Sequence, residues 1–404
     1  MNKNNGIGRL DGHKRSQTEL AKTYDEDIAI NLPFAWNWAN RYTASLPFAF
    51  AFTVAVTALD CNVGDLILDF ACGSGWISEW LRRLGYRTVS VDISTTLLNF
   101  AKKRMACDSR INDDYFPAYF VAGDVERLPF KDETFDGIIC MNSLHHMPDY
   151  QVIFDEMRRV LKKDGRAAFS EPGCKHSQSP DSIREMQESG VLERDVVLSD
   201  VYDKAMKAGF KELYLKPMLL PSEIDLTYFE WQRFFNGMPA IVEEYMQKVR
   251  TYTEDCHLFF TLHKSLKKRQ RDSRNPGLLR AAIEITDIPS TIKQGGDMVI
   301  KVLVKNTGDT LWLSEMQKFG GHVTLGVKLL VQNGKILNSD FGRALLPKDV
   351  MPGESVEVVM QLGAPSEKGE YVLKFDMVCE RITWFEGAGS MPLSVRFEVT
   401  WLQR

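Results

Sequence analysis

The sequence predicts an α/β fold with a doubly wound, largely parallel sheet, followed by an all-β sandwich domain. From about residue 35 to 175, short apolar runs alternate with amphipathic helical stretches, a pattern typical of parallel strands buried on both faces. After about residue 280 the apolar period changes to two, and turn signals such as Asn333-Gly334 and Pro352-Gly353 separate the runs, which favours antiparallel strands. A chain of 404 residues is long enough for two such domains.

The first domain is predicted in residues 1–265, with strands joined by helices. The strands are predicted over 66–70, 88–92, 118–122, 137–141 and 166–170, and the helices between them over 76–84, 95–105 and 150–161. Residues 178–262 are helical and aromatic-rich, and they form either a substrate lid or helical packing with the last strands of the sheet. Dense charge over 266–279 predicts a linker, and residues 280–404 form the second domain.

Composition and charge restrict the function classes. The net charge of -4 gives no general attraction to nucleic acid or to anionic membranes, and no nucleic-acid partner is expected. The N-terminal segment is polar, and the apolar stretch 46–59 is too short to span a bilayer as a helix. The seven cysteines are scattered and form no Cys-x-x-Cys pair, which is typical of buried residues in a reducing compartment. We therefore expect a cytoplasmic protein.

The strongest local signal is an apolar strand that runs into a glycine-containing turn. Residues 66–76 read Leu-Ile-Leu-Asp-Phe-Ala-Cys-Gly-Ser-Gly-Trp, so the backbone of Gly73 and Gly75 can approach a ligand closely at the carboxyl end of the first strand. Asp92 ends the second strand about twenty residues further on, where a carboxylate accepts hydrogen bonds from ribose hydroxyls. A nicotinamide dinucleotide would satisfy these features equally well, but the turn lacks the full Gly-x-Gly-x-x-Gly of such sites.

Four motifs, in order, resemble those of class I S-adenosylmethionine-dependent methyltransferases over about residues 60–175. They are residues 69–75, Asp92, residues 123–130 (Gly-Asp-Val-Glu-Arg-Leu-Pro-Phe) and residues 135–147. The resemblance implies a Rossmann-like fold, S-adenosylmethionine as the cofactor, and a set of cofactor-binding residues: Asp69, Ala71, Gly73, Gly75, Asp92, Ile93, Asp124, Val125 and Asn142.

The same resemblance implies a role for several of these residues. Asp92 would hold the ribose, Asp124 the adenine amino group, and Val125 would offer its amide to the ring. Asn142 and Ser143 would border the sulfonium. Ala71 departs from the family, which most often has a glycine there, and its methyl group is expected to tighten the turn without abolishing binding.

Methyl transfer from a sulfonium is a displacement that the protein promotes by positioning and by excluding water. For a hydroxyl acceptor, a base should help to remove the proton. We expect His176, after the fifth strand, to be that base, with His146 and Glu171 as the other catalytic candidates. Both histidines also have a purely structural interpretation. Oxygen ligands from Glu171, Glu193 and Asp195 offer a metal-assisted alternative, but their spacing is loose and no metal is expected.

The C-terminal domain resembles immunoglobulin-like sandwiches attached to bacterial glycan-modifying enzymes, and its combination with the first domain resembles surface-polysaccharide biosynthesis methyltransferases. This resemblance implies O-methylation of a sugar hydroxyl on a glycan or its precursor. Trp312, Trp384 and Phe385 would then be a stacking surface, unless they are buried in the sandwich. The alternatives are a small-molecule or lipid acceptor, with the sandwich mediating homo-oligomerisation, and a protein that binds S-adenosylmethionine without turnover.

Overall fold

The computed structural model describes residues 5–34, 41–106, 108, 116–217, 226–255, 257–267 and 269–401. The chain forms two compact units, Met1–Arg269 and Gln270–Arg404. Cys107 and Cys256, two of the cysteines expected to be buried, lie outside the described residues. Of the others, Cys61, Cys72, Cys140 and Cys379 are buried, whereas Cys174 is exposed, so the expectation was wrong for Cys174.

The first unit is built on one seven-stranded sheet with the order β3-β2-β1-β4-β5-β7-β6. Its strands are β1 Leu66–Phe70, β2 Arg87–Asp92, β3 Ala118–Ala122, β4 Phe135–Met141, β5 Leu161–Pro172, β6 Glu212–Leu215 and β7 His257–His263. β1 to β5 pair in parallel, and β7 runs antiparallel to both β5 and β6. The predicted α/β fold is confirmed. The strand order reverses at β1 and β4, which is where open α/β sheets bind ligands.

Both faces of this sheet are covered, as uninterrupted apolar strands require. Leu68 and Ile138 belong to one hydrophobic core. Their neighbours Ile67 and Ile139 belong to a second core, because successive strand residues point to opposite faces. Because a core covers each face of the sheet, side chains on both sides of β4 are buried, and the strand is buried along its whole length.

Helices flank the sheet and close its connections. They are α1 Asn5–Ala21, α2 Glu26–Asn31, α3 Arg41–Leu59, α4 Trp76–Arg83, α5 Thr95–Ala106, α6 Tyr150–Val160, α7 Pro180–Ser189, α8 Leu198–Ala208, α9 Tyr228–Phe235 and α10 Pro239–Asp255. Two side chains mark clear starts. Asp149 accepts a hydrogen bond from the Gln151 amide before α6, and Ser179 accepts one from the Ser182 amide before α7. Such caps satisfy amides that have no partner within the helix.

The described part of the region predicted as either a lid or packing contributes both to the core and to a cavity wall. Val201 of α8 and Leu262 of β7 are fully buried in the same core as β4. Glu185 of α7 and Leu192 instead line the cavity described below. Residues 218–225 of this region lie outside the described residues.

The second unit is all β, with two sheets that share one hydrophobic core. The first sheet contains β8 Ala281–Asp287, β10 Asp297–Asn306 and β13 Ser355–Gly363. The second contains β9 Thr291–Lys293, β11 Val323–Val331, β12 Ile336–Leu345, β14 Gly369–Cys379, β15 Thr383–Trp384 and β16 Leu393–Thr400. The period-two pattern reflects this arrangement, because alternate residues of β10, from Met298 to Val304, enter the core.

Three details of this unit bear on the sequence-based interpretation. Trp312 and Phe385 are fully buried and stack edge to face in the core, so neither is available as a stacking surface. Trp384 is half-buried, with Lys328 and Arg343 over its ring. Residues 270–279 belong to this unit rather than to a solvated linker, since Ser273 and Leu279 are buried in it.

No helix within the described ranges is long and apolar enough to cross a membrane.

Candidate functional site

The turn after β1 is built from left-handed backbone conformations. Ala71, Gly73 and Gly75 have φ values of 55°, 54° and 76°. Asn142, which follows β4 at the same edge of the sheet, has a φ of 49°. For Ala71 and Asn142 this conformation is strained, and strained residues cluster at functional sites because the surrounding structure holds them in place. The Cys72 amide donates to the Val91 carbonyl at 3.0 Å, which ties the turn to β2.

The carboxylate of Asp92 holds this turn from the end of β2. Its Oδ2 accepts from the Gly73 amide at 2.9 Å, and its Oδ1 accepts from the Ser94 amide at 2.8 Å. Burial raises the pKa of Asp92, and the two amides oppose that shift. Each carboxylate oxygen retains a lone pair after these bonds. A neighbouring side chain, Ser74, has a buried hydroxyl without a hydrogen-bond partner among the described residues.

A cavity of about 490 Å³ opens at this edge, which lies within the usual range for small-ligand sites. Nine of the residues predicted to be functional line it: Ala71, Gly73, Asp92, Ile93, Asp124, Val125, Asn142, Ser143 and His146. Four others do not: Asp69, Gly75, Glu171 and His176. The structure therefore brings most of the predicted cofactor residues to one surface, and of the three predicted catalytic residues it places only His146 in the cavity lining.

Asp69 and Gly75 support the cavity from behind. Asp69 is fully buried and accepts from the Ser78 amide at 3.1 Å and the Ser78 hydroxyl at 2.7 Å, which anchors the first turn of α4. Burial raises the pKa of Asp69 to about 7. A Cβ atom on Gly75 would lie 2.7 Å from the Cβ of Ala101, so this glycine lets α4 approach α5.

The N-terminal segment forms part of the cavity wall, a role that no sequence pattern predicted. His13, Lys14, Gln17, Tyr24 and Leu32 all line it. The Lys14 ammonium lies 2.6 Å from Asp124 Oδ2 and 2.8 Å from Glu126 Oε2. These two ion pairs hold α1 against the predicted adenine side of the cavity.

Glu171 organises the loop that follows β4 rather than facing the cavity. It is fully buried and accepts from the amides of Ser143 and Leu144, both at 3.0 Å. Its Oε2 lies 2.9 Å from His145 Nδ1. Burial alone would raise the pKa of Glu171, but His145 and the two amides outweigh burial and hold it below its usual value. Glu171 is therefore placed as a positioning residue.

His146 is the predicted catalytic residue that lines the cavity. Its Nδ1 lies 2.8 Å from the Leu192 carbonyl oxygen and 3.2 Å from Glu193 Oε1. Both neighbours accept hydrogen bonds only, so Nδ1 carries the proton and Nε2 carries the lone pair. Burial lowers the pKa of His146 to about 4, with His145 adding to the effect, and the imidazole is neutral near pH 7.

His176 lies away from the cavity lining, contrary to the expectation that its loop would reach over the methyl group. Its Nε2 is 2.7 Å from Glu193 Oε2, because the turn after β5 folds back onto the segment between α7 and α8. The base role predicted for His176 has no support from this position. Asp195 is also occupied locally, since its Oδ1 accepts from the Ser177 amide at 2.8 Å.

Residues 68–169 match the family model of a methyltransferase domain. The chain is 35% identical over 116 residues to a demethylmenaquinone methyltransferase of Thermobifida fusca (strain YX), covering 29% of this chain and 47% of that protein. It is 29% identical over 148 residues to a ubiquinone biosynthesis O-methyltransferase of Coxiella burnetii (strain Dugway 5J108-111), covering 36% of this chain and 61% of that protein. The chain thus spans about half the length of the curated relatives that it matches.

Among solved structures, the first unit is similar to phosphoethanolamine N-methyltransferase 2 of Haemonchus contortus in complex with S-adenosyl-L-methionine. The TM-score is 0.42 at 18% identity, and the match covers 63% of this chain and 59% of that one. A geranyl diphosphate methyltransferase matches with a TM-score of 0.43 at 12% identity, covering 63% and 99% of the two chains. Similarity at this level carries no functional conclusion.

The methyltransferase domain supports S-adenosylmethionine as the cofactor, and the cavity fits it. Asp92 offers carboxylate lone pairs at the wall. A Cβ atom on Gly73 would meet nothing within 4 Å, so the backbone there borders open space. The buried hydroxyl of Ser74, which has no hydrogen-bond partner in the described part of the chain, also belongs to the lining. Open space beside a glycine turn, together with free acceptors, suits a nucleoside with two ribose hydroxyls.

Proposed function

We propose that this chain is an S-adenosylmethionine-dependent methyltransferase that methylates a hydroxyl group of a small acceptor. The observation that carries the proposal is the position of His146, whose Nδ1 faces two hydrogen-bond acceptors. Its proton lies on Nδ1 between two acceptors, and the unprotonated Nε2 belongs to a side chain in the cavity wall. A neutral imidazole beside a bound methyl donor is suited to accept the proton of an attacking hydroxyl.

The remaining cavity residues bind the cofactor and orient it for the reaction. Asp92 accepts from the ribose hydroxyls, Asp124 takes the adenine amino group, and Asn142 and Ser143 border the reacting centre. The cofactor supplies an already activated methyl group, so the protein's contribution is alignment and water exclusion. Glu171 fixes the Ser143 and Leu144 amides and thereby the position of His146 two residues later.

The cavity lining favours an acceptor with an apolar body. Tyr24, Leu32, Phe48, Trp76 and Met147 all contribute to the wall, and apolar and aromatic linings recognise hydrophobic ligands. A relative whose name states O-methyl transfer acts in ubiquinone biosynthesis. The proposal therefore favours a hydroxylated aromatic or quinol-like acceptor, with the second unit mediating association between copies of the chain.

The second candidate is the hydroxyl of a sugar on a bacterial glycan or its precursor. The observation that favours it is Trp384, where the Lys328 ammonium and the Arg343 guanidinium lie 4.1 Å and 4.4 Å from the ring centroid. An aromatic ring flanked by cations would suit an acidic saccharide. The burial of Trp312 and Phe385 leaves this surface small, which is why the saccharide acceptor takes second place.

The test is S-adenosylhomocysteine formation by the full chain with two acceptor panels. One panel holds hydroxylated aromatics and quinols, and the other holds nucleotide sugars and acidic oligosaccharides. With the accepted substrate, His146→Ala should lower kcat by roughly 10²–10⁴-fold and leave the affinity for S-adenosylhomocysteine unchanged.

His263→Ala is the matched control, since His263 lies on β7 and outside the cavity lining, and it should keep wild-type kcat. Turnover with sugars alone would select the second candidate. Absence of turnover with both panels, or a wild-type kcat in His146→Ala, would overturn the proposed base-assisted transfer.

A further inference from the structure

Three side chains from three separate chain segments converge behind the cavity wall. His145 follows β4, His176 follows β5, and Glu193 lies between α7 and α8. One donor atom from each lies within 4.8 Å of the other two. His145 and Glu193 are buried, and His176 is half-buried. We propose that these residues form a binding site for a divalent transition-metal cation.

The orientation of His145 is the first argument for a metal. Its Nδ1 faces Glu171 Oε2 at 2.9 Å, and a carboxylate accepts a hydrogen bond rather than donating one. Nδ1 therefore donates to Glu171, which leaves Nε2 facing Glu193. Metal-ligating histidines almost always donate their second ring N–H to a carboxylate, carbonyl or water. Glu171 supplies that outer partner for His145.

The atom that His145 faces is the second argument. Its Nε2 lies 3.6 Å from Glu193 Oε2 in a buried place, which is beyond hydrogen-bond distance. Glu193 Oε2 also lies 2.7 Å from His176 Nε2. A cation bound here would be coordinated by Glu193 Oε2 together with the Nε2 atoms of His145 and His176. The second oxygen of Glu193, Oε1, is also buried, and His146 Nδ1 lies 3.2 Å from it.

The donor set determines the class of metal. Two imidazoles and one carboxylate suit zinc, iron, cobalt or nickel, whereas magnesium and calcium prefer all-oxygen sites. Tetrahedral zinc, with bonds of ~2.0–2.1 Å, places its ligand atoms roughly 3.3 Å apart. The separations of 2.7 Å and 3.6 Å around Glu193 Oε2 lie on either side of that value. Of the oxygen ligands considered from the sequence, only Glu193 takes part directly.

The position of the site indicates that the metal would hold chain segments together and would not take part in the reaction. The metal would join the loops after β4 and β5 to residues 190–197, which include Leu192 in the cavity wall. The Leu192 carbonyl accepts from His146 Nδ1. Metal binding would therefore fix the segment that sets the His146 tautomer, while the three ligands themselves stay outside the cavity lining.

The experiment uses the untagged full chain, stripped with a chelator and titrated with Zn²⁺ against a chromogenic competitor. Co²⁺ is titrated in parallel, since its visible absorption reports ligand geometry. We expect one ion per chain. His176→Ala should abolish the site, and because His176 is half-buried at a turn it tests the site without emptying the core. Glu171→Gln should bind about 10–100-fold more weakly, as loss of an outer partner does. His263→Ala is the control and should bind as the wild type does.

Several outcomes would overturn the site. They are an absence of saturable one-to-one binding by the wild-type chain, an unchanged affinity in His176→Ala, and an equal loss in His263→Ala. If His176→Ala does not fold, the Co²⁺ spectrum of the wild type and the affinity of Glu171→Gln decide the matter. Metal affinity is measured without turnover, so its failure leaves the proposed function standing.

Discussion

Two glycines of one turn should fail in different ways when each gains a methyl group. Gly73 and Gly75 both have positive φ angles. A Cβ on Gly73 would meet no protein atom within 4 Å, and Gly73 lines the cavity. A Cβ on Gly75 would lie 2.7 Å from the Ala101 Cβ and 3.3 Å from its Cα. Gly73→Ala therefore obstructs the ligand, whereas Gly75→Ala strains the packing of α4 on α5.

The magnitudes follow from these contacts. A left-handed alanine costs roughly 1–2 kcal/mol, offset by about 0.4–1 kcal/mol from the less flexible unfolded chain. Gly73→Ala should therefore lose about 1 kcal/mol of stability. Gly75→Ala adds an overpacking cost of roughly 1–3 kcal/mol. The same overpacking energy, applied to a bound ligand at Gly73, corresponds to an affinity loss of about 10–100-fold.

Thermal unfolding and calorimetry with S-adenosylhomocysteine separate the two effects. For a unit of this size, Gly73→Ala should lower Tm by about 2–4 °C, while Gly75→Ala should lower it further. Gly237→Ala is the matched control, because Gly237 has a φ of 70° and open space around its Cβ position but lies outside the cavity lining. It should share the strain and keep the affinity. Wild-type affinity in Gly73→Ala would show that Gly73 does not border the ligand, and equal stability of Gly75→Ala and Gly237→Ala would show that α4 and α5 tolerate the added methyl group.

Two further predictions concern Asp69 and Lys14. The pKa of Asp69 is about 7 in the folded chain, against an ordinary value of 3.8. As pH rises, the unfolded chain therefore loses this proton at a lower pH than the folded chain does. The free energy of unfolding should fall by up to ~4 kcal/mol as pH rises from about 4 to 7. Asp69→Asn should remove that slope in urea unfolding series, and an unchanged slope would contradict the buried neutral acid. Lys14→Ala removes the ion pairs that hold α1 against Asp124 and Glu126. A partly exposed ion pair contributes ~0.5–1 kcal/mol, so S-adenosylhomocysteine binding should weaken by about 2–5-fold. Tighter binding in calorimetry would show instead that Lys14 competes with the adenine.

The sheet could be predicted because its signals are local. β1, β3 and the carboxyl part of β4 were found from uninterrupted apolar runs, and burial on both faces produces such runs directly. The proximity of Gly73 and Asp92 could be predicted because parallel strands bring their carboxyl ends to one edge of the sheet. The pairing of adjacent strands is enough to bring these residues together.

The rest of the site depends on packing that no local pattern encodes. Lys14 sits in a polar helix without a strong apolar stripe, and only the fold brings it to Asp124. His176 and His146 both follow strands at the correct edge, so their sequence positions were equivalent. The segment 190–197 makes their surroundings different, since His146 contacts the Leu192 carbonyl and His176 contacts the Glu193 carboxylate.

The central claim is that a nucleoside sulfonium lies at the mouth of β1 and β2 with its ribose on Asp92. Calorimetric titration of S-adenosylhomocysteine into the wild type and Asp92→Ala tests it most directly. Hydrogen bonds to a charged group contribute about 1.5–3 kcal/mol each, so losing two should weaken binding by at least about 100-fold. Equal affinity in a folded Asp92→Ala, or no measurable binding by the wild type, would contradict the account.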